Sequence, residues 1–181
     1  MSATMPSEYE VFKTLRECTI SGLTKFGVLD GLDVRRFAQA NMANGDKLVL
    51  LNLIGSERIG WQAFRYANTP LSLKRTDEWI EEQEWQFSFI KLMRNSDTVT
   101  TVTADDLCNI CITWFNGEGN LLLRSKGIAC LPIDPHSVMV YNDESDLYQR
   151  RPVFTMNLQV PKNFTANTDG TEILNVTTHP V

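Results

Sequence analysis

The segment 81–93 constrains the fold more than any other part of the chain. In it, the aromatic residues Trp85, Phe87 and Phe89 alternate with polar ones. Because successive side chains of a β-strand point to opposite faces, this alternation predicts a strand with one aromatic and one polar face. We expect the aromatic face to lie in a hydrophobic core. The alternative is a platform on which a ligand ring or a nucleic-acid base stacks.

The same kind of pattern predicts the other main elements. Apolar residues at 47–54 indicate a central strand covered on both faces, and alternation at 151–160 indicates the last strand. After a Gly-Ser step, the segment 57–66 is predicted to return as the second strand of a hairpin. A helix is expected at 8–23, and another is expected to follow the cap residue Thr103.

The order of these elements is helix, strands, helices, strands. Such segregation predicts an α+β fold, in which a mainly antiparallel sheet has its helices packed on one face. The 181 residues are 43% hydrophobic and 22% charged, which fits one ordinary globular domain. We expect a single α+β domain over residues 1–165 and an extended C-terminal tail over residues 166–181.

Charge and hydropathy exclude several classes of function. The net charge is -5, whereas nonspecific binding to nucleic acid needs a surplus of Lys and Arg. We therefore do not expect the protein to grip DNA, although DNA could slide past such an acidic surface. There is no run of 18 or more apolar residues, so no transmembrane helix is expected. The first residues lack the pattern of a secretory signal, and we expect the protein in a cytoplasm.

The pair Cys108 and Cys111 is the one motif that looks chemical. A redox pair of this spacing sits at the start of a helix, where the helix dipole lowers the thiol pKa, but here a full capped turn precedes it. A zinc site would need two more ligands at regular spacing. We expect a structural pair, with a thiol-redox protein as the alternative. His136 and His179 are expected in loops or at the surface, and neither a cofactor, a metal nor a catalytic site is expected.

Two further groups of residues favour contacts over catalysis. A cluster of four glutamates precedes the aromatic strand. Paired carboxylates can hydrolyse glycosides, but nothing in this sequence fixes such a pair, so a solvated edge or a subunit contact is favoured. Trp61 and Phe64 would lie on opposite faces of their strand, and we expect one of them to be exposed at an interface.

Several segments together match the layout of a known family. They are residues 31–35 leading into Gln39-Ala-Asn41, the apolar strand at 48–53, the Glu-Trp-Gln-Phe strand at 84–87, the helix that opens with Asp105-Asp106-Leu-Cys, and residues 146–150 leading into the strand at 153–160. In this layout, over roughly residues 8 to 162, the chain resembles the neck and tail-terminator proteins of tailed phages.

The resemblance implies a tail-terminator-like fold and a structural role without catalysis. Such proteins form a ring, usually a hexamer, that caps the tail tube and joins it to the head–neck connector. The implied partners are further copies of the chain, a tail tube or sheath protein, and a neck or connector protein. DNA would pass through the ring without specific binding. The implied location is the virion, after assembly in the host cytoplasm. A small ligand-binding module is an alternative from another class.

Contacts within such an assembly are expected from a polar loop and from a cluster that combines an aromatic residue with arginine. The first group is predicted to contact the tube or the neck, and the second to contact the neighbouring subunit. The predicted interface residues are Gln39, Asn41 and Asn44 in the first group, and Tyr148, Gln149 and Arg150 in the second.

The substitution Arg150→Ala is expected to weaken ring assembly, because it removes a planar cation with several hydrogen-bond donors from the predicted contact. Light scattering would measure the mass of the assembly, with Lys13→Ala on the polar side of the first helix as the control. Assembly equal to that of the wild type would show that Arg150 does not contribute to the contact.

Overall fold

A computed structural model describes residues 6–37, 45–69, 72–92, 101–133, 137–142 and 148–169. In chain order, the elements are α1 (Glu8–Lys25), β1 (Leu32–Arg36), β2 (Lys47–Thr69), β3 (Ser72–Lys91), α2 (Ala104–Asn116), α3 (Glu118–Ser125), β4 (Ala129–Cys130), β5 (Ser137–Asn142) and β6 (Tyr148–Asp169).

The strands form one sheet in the order β1-β2-β3-β6-β4, and β5 pairs with the first part of β6. β1 runs parallel to β2, while the other described pairs are antiparallel. The three helices and alternate residues of β2, β3 and β6 supply side chains to a single core on one face of the sheet. The predicted α+β fold with a mainly antiparallel sheet is therefore confirmed.

The predicted hairpin between the segments 47–54 and 57–66 is wrong. Both segments belong to the single strand β2, which pairs with β3 along its length. A Gly-Ser step resembles a turn locally, but here it is accommodated as a register shift between Leu53 and Gly55. Cross-strand pairs on both sides of the shift outweigh the local turn signal.

The aromatic stripe of β3 forms the centre of the core. Trp85, Phe87 and Phe89 are fully buried. Phe87 stacks on Phe154 of β6 with ring centroids 4.7 Å apart, and it meets Phe115 of α2 edge-on at 5.6 Å. Such ring pairs add to the free energy gained by burying apolar area. The core interpretation of this stripe is confirmed, and these rings are not available to stack on a ligand.

Both predicted helix starts carry reciprocal caps. The hydroxyl of Ser7 accepts a hydrogen bond from the Glu10 amide at 3.2 Å, and the Glu10 carboxylate accepts one from the Ser7 amide at 2.6 Å. Thr103 and Asp106 form the same arrangement at α2, and these hydrogen bonds lower the pKa of Asp106. Each cap satisfies backbone donors that the first turn leaves free. Within the described residues, no helix is both long and apolar enough to cross a membrane.

Trp114 of α2 packs between two glycines and brings the three helices together. A Cβ atom added at Gly22 of α1 would lie 2.6 Å from the indole, and one added at Gly119 of α3 would lie 2.5 Å from it. The thiol of Cys18 donates to the carbonyl of Gly119 at 3.6 Å. Glycine at both positions is therefore required by close packing against the indole.

β6 continues past residue 165, where we expected the domain to end. It runs to Asp169, which pairs with Ser72 of β3. The described sheet thus includes the first residues of the segment that we expected to be a tail. Residues 170–181 of that segment lie outside the described residues.

The substitution Gly22→Ala is expected to lower the free energy of unfolding by about 1–3 kcal/mol, the usual cost of overpacking a core. The added methyl group would overlap the ring of Trp114. Urea denaturation measures the change. Ser21→Ala, at an exposed position of the same helix, is the control and should change stability by less than about 0.5 kcal/mol. A Gly22→Ala variant as stable as the wild type would contradict the packing described.

Candidate assembly surface

Three strands of the sheet extend beyond the hydrophobic core. β2, β3 and β6 contain 23, 20 and 22 residues, and at a rise of about 3.3 Å per residue β2 spans roughly 75 Å. The register joins Ile59 of β2 to Ile80 of β3, and Ile80 to Pro161 of β6. The part of the sheet from this level outwards is called the β arm here, and it consists of residues 59–69, 72–80 and 161–169.

The β arm has two outer edges, one on β2 and one on β6. β1 pairs with β2 only as far as Leu51, and β4 pairs with β6 only as far as Gln159. Within the described ranges, no other strand lies along either outer edge of the arm. Unpaired edges of this kind are templates for pairing with another chain, and proteins that act alone usually protect them.

The arm presents exposed apolar side chains on its β2 edge and on its middle strand, β3. Trp61 is 98% exposed, Tyr66 is 61% exposed and Ile80 is 43% exposed. The prediction that Trp61 or Phe64 would be exposed is confirmed for Trp61. Exposed aromatic residues are common at the centres of protein interfaces, because they bury a large area when a partner covers them.

A bulge in β2 holds Trp61 at the edge of the sheet. Residues 60–62 of β2 lie opposite the single residue Trp79 of β3. Gly60 adopts a φ of 74°, a conformation that residues with a side chain rarely take. Next to the bulge, the guanidinium of Arg58 lies over the ring of Trp79, 4.7 Å from its centroid. At the bulge, the indole of Trp61 is therefore exposed, whereas the indole of Trp79 is covered by the Arg58 guanidinium.

A series of hydrogen bonds ties the base of the arm to the core. The indole nitrogen of Trp85 donates to Gln83 Oε1 at 3.0 Å, and Gln83 Nε2 donates to Glu81 Oε1 at 2.6 Å. The ammonium of Lys162 lies 3.8 Å from the Glu81 carboxylate and donates to the carbonyl of Pro6 at 2.6 Å. Gln83 and Lys162 are buried, so these bonds would be costly to leave unmade. They fix the arm relative to the body.

Because side chains alternate along β3, the four glutamates of the predicted cluster lie on two different faces of the sheet. Glu81 lies on the helix side of the sheet, in the hydrogen-bonded series at the base of the arm. Glu78, Glu82 and Glu84 lie on the outer face, and the carboxylate of Glu78 pairs with Arg65 at 3.2 Å. The four carboxylates therefore do not form one site.

The outer face carries an acidic patch, formed by Glu57, Glu82 and Glu84. These residues and Asn157 line an open cleft of about 430 Å³. Glu57 lies directly across from Glu82 on the paired strands, an arrangement of like charges that lowers stability. Among the residues that the structure describes, none forms an ion pair with these three carboxylates. Lys or Arg from another protein would relieve this repulsion.

The cysteines lie in the core. All four are buried free thiols. Burial raises the pKa of Cys18 to about 11 and those of Cys108 and Cys130 to about 12, and it also raises the pKa of Cys111. The thiolate, which is the reactive form, is therefore scarce at neutral pH. The structural interpretation of Cys108 and Cys111 is confirmed. In the described part of the chain, no group of three or more His, Cys, Asp or Glu residues could hold a metal ion.

The predicted interface residues fall into two groups. Gln39, Asn41 and Asn44 lie outside the described residues, as do His136 and His179.

The residues of the second group begin β6. Tyr148, Gln149 and Arg150 pair with residues 140–142 of β5. Their backbones lie in the sheet at the end of β6 opposite to the arm. The assignment of these residues to a subunit contact stays a prediction. The β arm itself was not predicted from the sequence, because the Gly-Ser step was interpreted as a turn and β2 was divided into two strands.

The fold and this surface together define an α+β protein with the features of an assembly subunit. A family model described as E217 gateway protein gp29 matches residues 10–170, and the chain belongs to this family. The family is related to phage tail and neck proteins, so the resemblance drawn from the sequence is confirmed.

Comparison with solved structures and curated proteins adds two findings. The chain is similar to the sheath/tube terminator of PVC, an extracellular contractile injection system, in its extended state. The sequence identity is 10%, the TM-score is 0.49, and the match covers 93% of this chain and 62% of the other. The chain thus spans less than two thirds of that terminator's length. No curated protein matches the chain.

The native thiols are expected to react with a thiol reagent at pH 8 far more slowly than the same thiols in denaturant. Burial blocks access, and it keeps the sulfurs protonated because their pKa values are raised. The absorbance of the released chromophore measures the rate, with the urea-unfolded chain as the reference. If Cys108 reacted as fast in the native protein as in the unfolded chain, the thiol-redox alternative would be supported.

Proposed function

We propose that this chain is a structural virion protein, a tail-terminator or neck subunit. Copies of it form a ring, a hexamer by its resemblance to tail terminators, that caps the tail tube and joins it to the head–neck connector. The observation that carries the proposal is the β arm, whose two outer edges have no strand partner in the described structure and which presents a 98% exposed tryptophan. Membership of the gateway family supports the setting in the phage neck or tail.

The positions of the two edges support a ring over a symmetric dimer. One edge belongs to β2 and the other to β6, so a contact that uses both edges joins unlike surfaces of neighbouring copies. Contacts between unlike surfaces repeat in one direction, and they close into a ring when the rotation between copies divides the full circle. The mechanism is geometrical, since each copy completes the sheet edge of the next.

The charge distribution supports contacts with other virion proteins. The patch of Glu57, Glu82 and Glu84 suits a basic segment of a tail tube, sheath or connector protein. The predicted polar contacts at 39–44 and the predicted subunit contacts at 148–150 belong to the same proposal. With a net charge of -5, the subunits would not retain the phosphate backbone, so DNA passes through the ring without specific binding. The ring would form in the host cytoplasm and remain in the virion.

The mass of the purified protein tests the proposal. Light scattering is expected to give one closed oligomer, and electron microscopy is expected to show rings. The substitution Tyr66→Glu places a charge on the arm. It should raise the protein concentration needed for assembly at least about tenfold, which is the effect of losing an interface hot spot.

Leu121→Glu is the matched control, because Leu121 is 65% exposed on α3, away from the arm. It should assemble as the wild type does. A wild-type protein that stays monomeric at every concentration, or that is absent from purified virions, would contradict the proposal.

A further inference from the structure

A cleft of about 360 Å³ opens beside β6, on the edge of the sheet opposite to Trp61. α1, β6 and the residues that follow α3 form its walls. Val11, Ile128 and Val160 are buried side chains that give it an apolar floor, and Lys126 is exposed at its rim. The cleft has the size and lining to take one aromatic side chain.

The wall of the cleft is held firmly in place. The segment before α1 is fixed to β6 by the bond from the buried Lys162 ammonium to the carbonyl of Pro6, 2.6 Å long. The capping box of Ser7 and Glu10 then fixes the first turn of α1, which contributes Glu10 and Val11 to the lining. A preformed cleft binds with less loss of conformational entropy than one that must be ordered.

Trp61 and the cleft lie at the same level of the sheet, on opposite edges. The bulge that contains Trp61 faces Trp79 of β3, and Trp79 pairs with Lys162 of β6. Pro161 and Asn163, on either side of Lys162, line the cleft. Because neighbouring strands are about 4.8 Å apart, the width of the three-stranded sheet separates the indole from the cleft of its own chain.

We propose that the indole of Trp61 inserts into this cleft on the next copy in the ring. The occupant is a second copy of this chain because the projection and the cleft are found at one level on the two edges that a head-to-tail contact would bring together. This inference rests on the proposed function, and it specifies which side chain joins adjacent copies.

The chemistry of the cleft beside β6 suits an indole better than the chemistry of the acidic cleft on the outer face. Lys126 has no ion pair among the described residues, and an ammonium over an indole face is attracted by the ring quadrupole. The acidic cleft is lined by three glutamates, Glu57, Glu82 and Glu84, and carboxylates repel the negative face of an aromatic ring. The cleft beside β6 has one glutamate, Glu10, whose carboxylate accepts a hydrogen bond from the Ser7 amide. The apolar floor beside β6 also removes the indole from water.

Disulfide trapping tests the contact in the full chain. The double variant Trp61→Cys, Thr14→Cys places one thiol in the bulge and one in the cleft lining, both outside the core. The native cysteines are buried free thiols and contribute little background. Mild oxidation is expected to give a ladder of covalent oligomers larger than a dimer, since each copy links to a different neighbour on each side. The pair Trp61→Cys, Leu121→Cys is the control and should give no ladder.

Two outcomes overturn the inference. A product that stops at the dimer would mean a symmetric contact, and a ring that yields no cross-link with Thr14→Cys would mean that the indole lies elsewhere. Trp61→Ala should also raise the concentration needed for assembly at least about tenfold, whereas Leu121→Ala should leave it unchanged.

The mass of the unoxidised wild type separates this inference from the proposed function. If the wild type forms a ring but Trp61→Ala assembles normally and no cross-link forms, only the contact is wrong. If the wild type is monomeric, the proposed ring and the contact are both wrong.

Discussion

The register that joins β2, β3 and β6 is the constraint on which the rest of the structure depends. It aligns Phe87 with Phe154 in the core and, further along the same strands, Ile59 with Ile80 and Pro161 in the arm. Because a strand alternates between faces, a shift by one residue would turn the aromatic stripe of β3 towards solvent. The burial of three large aromatic side chains therefore also fixes which residues the arm presents.

The strands of the arm continue without a break from the strands that form the core. The hydrogen bonds from Trp85 through Gln83 to Glu81, and from Lys162 to Pro6, connect the two regions. A projection that is held at its base loses less conformational entropy when a partner covers it than one that must first be ordered. In the proposed ring, such an arm, whose edges have no strand partner among the described residues, presents the exposed indole of Trp61 to one neighbour. The bulge at Gly60 and the cleft beside β6 supply unlike surfaces on the two edges.

Part of this structure could be predicted from the sequence. The stripe of Trp85, Phe87 and Phe89 predicted a buried strand because its period is strictly two, and the cap at Thr103 predicted the start of α2. The continuity of β2 could not be predicted, since the register shift at Gly55 depends on pairing with β3 and not on local propensity.

Long-range contacts also limit what the sequence shows of the candidate surface. The hydrogen bond from Lys162 to Pro6 connects residues that are far apart in the chain, and no local sequence pattern predicts it. The exposure of Trp61 was expected only as one of two possibilities, because a bulge decides which face a side chain takes. The division of the glutamates followed from alternation once the strand was known.

Hydrogen–deuterium exchange of the arm tests most directly whether neighbouring copies cover its edges. The exchange of backbone amides in 59–69 and 161–169 would be compared between the assembled protein and the Tyr66→Glu variant at the same concentration. Both segments are expected to become protected in the assembly, while the amides of α3 exchange equally in both samples. Equal exchange of the arm segments in a ring and in a monomer would mean that the edges are open in both, and that neighbouring copies do not cover them.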